Sequence, residues 1–117
     1  MIDFDREVFY NLKYMGMQFS RDSQESITNY LFHGLNPGGH LSAMFAYDYE
    51  RALFNADIHN RQVFWATAMW IRECAPPQCQ GSYEAVTAWC NDQAARDKYR
   101  VDCEKKAMWN ALKETSW

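Results

Sequence analysis

The chain lacks a surplus of basic residues. Its formal net charge is −3 over 117 residues, which exerts no general pull toward DNA or RNA. It also lacks an uninterrupted apolar run of about 18 residues, so no membrane-spanning helix is predicted. The opening Met1-Ile2-Asp3-Phe4-Asp5-Arg6-Glu7 is acidic, without the basic-then-apolar layout of a secretory signal. Together these absences predict an intracellular protein in a reducing compartment, whose cysteines are thiols. No segment alternates convincingly between apolar and polar residues, and no internal repeat is visible. Closely spaced metal-binding cysteines are missing too. Cys74, Cys79, Cys90 and Cys103 are separated by four, ten and twelve residues, whereas structural zinc sites favour tight pairs. Only Cys74 and Cys79 approach that spacing, and Pro76 and Pro77 lie between them. The expectation is buried thiols filling small gaps, with no metal, cofactor or disulfide.

Catalytic signatures are equally sparse. Cys79, His40 or His59, and Asp48 or Asp57 make a nucleophile-base-acid set on paper, but no nucleophile elbow or catalytic box surrounds any of them. Gly34, Gly38 and Gly39 lack the Lys-Ser/Thr of a phosphate-binding loop. The chain is therefore expected not to be an enzyme.

Hydrophobic and aromatic residues are plentiful. Hydrophobic content is 48% and aromatic content 16%, enough for a core in one domain and too much ring surface to hide completely. The apolar residues recur at helical spacing. Phe4, Val8, Leu12 and Met15 predict a helix over residues 3–15, capped by Asp3 or Asp5 and ended by Gly16. Asp22, with Glu25 three positions on, or else Ser23, predicts the next helix start. Ile27, Tyr30 and Leu31 form its stripe and Gly34 its left-handed stop. After the turn Pro37-Gly38-Gly39, a helix is predicted from His40 to Asn55. Asp57 then caps a helix reaching Cys74, poor in charge and expected to be the central one. Pro76-Pro77 ends it. Ser82 caps a further segment with Val86, Trp89 and Cys90 inward. A charged amphipathic helix with Cys103, Ala107, Ala111 and Leu112 follows, continuous with it or hinged near Asn91. The expected fold is all-α, a compact single-domain bundle of about five helices over residues 1–117, packed around 57–74.

Two segments carry a family likeness. "HGLNPGGHLSAMFAYDYERALFNADIHN" spans His33–Asn60, and "APPQCQGSYEAVTAWC" spans Ala75–Cys90. Their pattern of turns, caps and core residues is Pro37, Gly39, Leu41, Ala43, Ala56, Asp57, Asn60, Pro76, Cys79, Gly81, Ser82, Val86 and Trp89. It resembles that of small accessory proteins of tailed bacteriophages and prophages. The likeness covers a core of 31–92, leaving flanks at 1–26 and 93–117. It implies a phage accessory protein in the host bacterial cytosol, of a kind that binds host machinery, including defence systems such as CRISPR–Cas complexes.

The sequence supports two functional readings. In the first, the protein binds a host protein or complex, as an anti-CRISPR inhibitor of host defence would. Candidate contacts are Asp3, Asp5, Glu7, Tyr47, Asp48 and Glu50 against a basic partner. Residues 1–60 carry eight acids and four bases, so the acidic half lies there. Phe9, Tyr10, Tyr14, Tyr47, Tyr49, Trp65, Tyr99, Trp109 and Trp117 exceed one inward stripe and supply anchors for a partner or for a homodimer. In the alternative, a small helical regulator binds nucleic acid through Arg96, Lys98, Arg100, Lys105 and Lys106. Asp97, Asp102 and Glu104 interleave with these bases, which instead suits a solvated helix face.

Overall fold

A computed structural model describes residues 13–115, with side chains described for residues 14–106. The expected Asp3 and Asp5 caps and the body of the helix predicted from residue 3 lie outside the described residues, as do Phe9, Tyr10 and Trp117. Of Trp109, Ala107, Ala111 and Leu112, only the helical backbone is described.

The described chain opens with a short hairpin. Strand β1 (Lys13–Tyr14) pairs antiparallel with β2 (Met17–Gln18). This corrects the helix expected through residue 15. Met15 and Gly16 have φ of 54° and 76°, the paired left-handed geometry of a two-residue hairpin turn. Strands of two residues are too short for alternation to show in sequence.

Seven helices follow among the described residues. The first, α1 (Arg21–His33), is capped by Ser20, whose side chain accepts from the Ser23 amide. Neither Asp22 nor Ser23 is the cap. The buried Ser23 hydroxyl instead bonds Asn60 across 3.1 Å. Gly34 closes α1 at φ 69°, as its sequence position predicts. Helix α2 (Gly39–Phe45) and α3 (Tyr49–Phe54) divide the single helix expected over 40–55. Helix α4 (Ile58–Gln62) starts on Asp57, whose carboxylate accepts from the Asn60 amide at 2.8 Å. A distortion at Val63 (φ −101°, ψ 16°) separates it from α5 (Phe64–Cys74). A 3-10 turn at Pro77–Cys79 leads to α6 (Tyr83–Asn91), capped by Ser82. Asp92 separates α6 from α7 (Gln93–Thr115), and its carboxylate accepts from the Ala95 amide. The hinge expected near Asn91 is thus present. The fold is all-α and single-domain, and five of its helices have seven residues or more.

The core shows which helix is central. Leu41, Ser42, Ala43, Met44 and Phe45 of α2 are all buried, and α2 meets α1, α3, α5 and α6. The short helix, not the 57–74 segment, is the hub. Its small residues admit neighbours on every side, whereas α5 leaves Trp65 and Met69 outside. Against this hub, Tyr30 meets the Phe45 ring at 4.8 Å and donates its hydroxyl to the Cys79 carbonyl at 2.7 Å. Trp89 is 2% exposed and donates its indole N–H to the Tyr30 carbonyl. Phe19 and Trp70 pack edge to face. Ala95, Tyr99 and Cys103 form the inward stripe of the described part of α7.

Candidate functional site

The end of α2 carries the least ordinary backbone in the helical part. The Tyr47 amide donates to the Met44 carbonyl and the Asp48 amide to the Ala43 carbonyl. This is the Schellman closure of a helix, whose left-handed residue is usually glycine. Here it is Tyr47, at φ 66°. A side chain in that conformation costs about 1–2 kcal/mol, so its ring must be held by its surroundings. The Tyr47 hydroxyl donates to Gln80 Oε1 at 2.6 Å. Gln80 in turn donates to the carbonyls of Ile71, Ala75 and Pro76. The ring stacks on Tyr49 with centroids 6.1 Å apart. The exposed Arg72 guanidinium lies over it, 4.3 Å from the centroid.

From this point a row of rings runs outward. Tyr49 meets Phe64 edge-on at 6.1 Å, and Phe64 meets Trp65 at 5.5 Å. Phe64 is buried and Trp65 is 72% exposed, so the row starts in the core and ends in solvent. Along α3, Asp48, Glu50, Arg51, Phe54 and Asn55 line a shallow open groove. Phe54 is 76% exposed and Ile58, at the start of α4, is 75% exposed.

The charged groups here are held mainly by tyrosines and backbone amides. Asp48 caps α3 by accepting from the Arg51 amide and accepts the Tyr83 hydroxyl at 2.8 Å. That hydrogen bond is the main cause of the raised Tyr83 pKa. Arg51 lies 5.9 Å from the centroid of the Tyr83 ring. Arg72 donates from Nε to the Tyr49 hydroxyl at 3.0 Å. Of the expected contact residues, Asp48 and Glu50 line the groove along α3, and Tyr47 sits just before them at the end of α2. Glu50 is exposed, while Tyr47 and Asp48 are half-buried with internal partners. Asp3, Asp5 and Glu7 lie outside the described residues. Arg72 and Gln80 meet Tyr47, Tyr83 meets Asp48 and Phe54 lines the groove, and none of these four stood out in the sequence. Arg72 lies 23 positions from the tyrosine it bonds, beyond the reach of any local pattern. Tyr83 carried one weak signal, as the first helical residue after Gly81-Ser82.

Other candidate chemistry is dispersed. His40 Nδ1 is bonded to the Ala52 carbonyl, His59 Nε2 to the Gln18 carbonyl, and Asp57 is a helix cap. All four cysteines are free thiols, and burial raises the pKa of each, with Cys79 pushed up to about 12. None is therefore a ready thiolate at neutral pH. Among the described residues, no three His, Cys, Asp or Glu side chains gather where they would hold a metal ion.

The basic residues near the C-terminus are partly committed to structure. Arg96 donates from Nη1 to the carbonyls of Trp89 and Cys90, at 2.9 and 2.8 Å, and so closes α6. Arg100 pairs with Glu104 at 3.6 Å and lies over the Phe32 ring. Lys98, Lys105 and Lys106 are exposed. Among the described residues no helix is long and apolar enough to cross a membrane. No known protein family, curated protein or solved structure matches the chain.

Proposed function

We propose that this protein acts by binding another protein through the face built from Tyr47, Tyr49, Phe54, Trp65, Arg51 and Arg72. The observation that carries the reading is the row of rings ending in Trp65, 72% exposed, together with Phe54, 76% exposed, in the groove along α3. Burying an aromatic or aliphatic side chain of this size is worth roughly 1.5–3 kcal/mol. Trp, Tyr and Arg are the types that dominate binding energy when desolvated by a partner. Tyr47 adds a second support, because backbone strain persists where the surroundings over-determine it and gathers at functional sites.

The biological setting belongs to the same proposal. The likeness of residues 31–92 to phage accessory proteins supports reading this as a phage-encoded protein in the host cytosol. Its partner is then a host-defence complex, and binding inhibits it in the manner of an anti-CRISPR protein. No catalytic step is required. Nucleic-acid binding through the C-terminal bases is the weaker alternative, because Arg96 and Arg100 are occupied within the fold.

The test is affinity capture from host lysate with wild-type protein, Trp65→Ala, and a Lys105→Glu/Lys106→Glu double variant. A stoichiometric partner is expected with the wild type and the double variant. It should weaken by about 2 kcal/mol or more with Trp65→Ala. Repeated recovery of the protein alone, or loss confined to the lysine variant, would sink the reading.

A further inference from the structure

We infer that Arg72 is a preformed seat for a carboxylate of the bound protein, so that the partner is acidic where it meets this face. The inference rests on the protein-binding reading above and assigns the partner's chemistry at one point. The acids of 1–60, taken as sequence, suggested the opposite sign. In the fold, Asp48 spends its carboxylate on the Tyr83 hydroxyl and the Arg51 amide.

Arg72 is held but not neutralised. Its guanidinium rests against Tyr47 at 4.3 Å and Tyr49 at 5.7 Å, measured to the ring centroids. Its Nε donates to the Tyr49 hydroxyl at 3.0 Å. Those contacts fix the plane of the group without using the two Nη nitrogens. Among the described residues Arg72 has no carboxylate partner, and it is exposed. An arginine usually loses side-chain freedom when it docks a carboxylate in a two-pronged geometry. Here the rings of Tyr47 and Tyr49 have already restricted it. The neighbouring arginine on this face differs in that Arg51 sits by the Tyr83–Asp48 pair. The seat is thus specific to Arg72, and the left-handed Tyr47 is what places a ring beneath it.

A capped tetraglutamate peptide tests the seat directly, with capped tetralysine as the control. Binding is read from the side-chain Nε–H resonance of Arg72 and the backbone amides of residues 47–50 in the full-length protein. The expected result is a saturable shift with tetraglutamate alone. Arg72→Lys keeps the charge but loses the plane, and should weaken the response of those amides about tenfold. Tyr49→Phe keeps the ring but loses the acceptor for Nε, and should weaken it less. Thermal unfolding of both variants guards against misfolding. No saturable shift, equal shifts at all exposed arginines, or an equal response in Arg72→Lys overturns the inference. The captured partner separates the two readings. If Arg72→Glu leaves capture intact while Trp65→Ala abolishes it, protein binding stands and the acidic seat falls.

Discussion

Gly34 and Tyr47 occupy the same kind of position, the left-handed residue after a helix, and for different reasons. A Cβ on Gly34 would meet Arg96 Cζ and the Cys90 carbonyl oxygen at 2.7 Å. The missing side chain is what lets the Arg96 guanidinium reach the end of α6. Gly34→Ala is therefore expected to cost about 2–4 kcal/mol, adding the left-handed penalty to the displacement of Arg96. A urea titration measures it, and a cost below that of an ordinary surface substitution contradicts the packing. The cysteines make a second prediction at this scale. Cys74 is exposed while Cys79 is fully buried, so a thiol reagent at mild alkaline pH should modify Cys74 first and Cys79 only on unfolding. Burial raises the Cys79 pKa from 9.0 to about 12, so the folded state binds that proton more tightly than the unfolded state. Its contribution to stability is complete below pH 9 and is lost as pH climbs toward 12. Tyr30 and Tyr99, raised by burial as well, add to the same alkaline loss.

Helix starts were more legible than helix lengths. Asp57 and Ser82 do what their residue types suggest, because N-capping is a contact between a side chain and an amide two or three positions away. Asp57→Ala and Ser82→Ala should each cost about 1 kcal/mol in chemical denaturation. Ser20 escaped notice because Asp22 and Glu25 form a capping-box pattern just after it. The breaks within 40–55 and 57–74 left no mark, since neither Tyr47 nor Val63 is a helix breaker. At Tyr47 the interruption is maintained by groups distant in sequence, namely Gln80 and Arg72. This leads to a prediction that separates folding from function. Tyr47→Gly relieves the left-handed strain of about 1–2 kcal/mol but removes the ring and its hydrogen bond, which are worth a similar amount. Stability should change by less than about 1 kcal/mol, while capture of the partner is lost. A large loss of stability in calorimetry would show that the ring serves the fold alone.

For the molecule as a whole, the same residue type divides between two duties. Trp89 is 2% exposed and Trp65 is 72% exposed. Trp89→Ala should cost about 3–5 kcal/mol, and Trp65→Ala should stay within about 0.5 kcal/mol of wild type, both by urea unfolding. The reverse order would overturn the core and the candidate face together. Sequence alone determined the all-α class, the single domain, the caps at Asp57 and Ser82, the stop at Gly34 and the inward stripes of Ile27, Tyr30, Leu31, Val86 and Trp89. These follow from helical periodicity and short-range hydrogen bonds, which a linear reading contains. The tertiary structure decided which helix is the hub, where the long helices break, and what surrounds Tyr47 and Asp48. It also decided what holds the charged groups there, since Asp48 meets Tyr83 across 35 positions and Arg72 meets Tyr49 across 23. Contacts of that range depend on how helices stack around α2, and stacking is set by the summed shapes of buried side chains rather than by any local pattern.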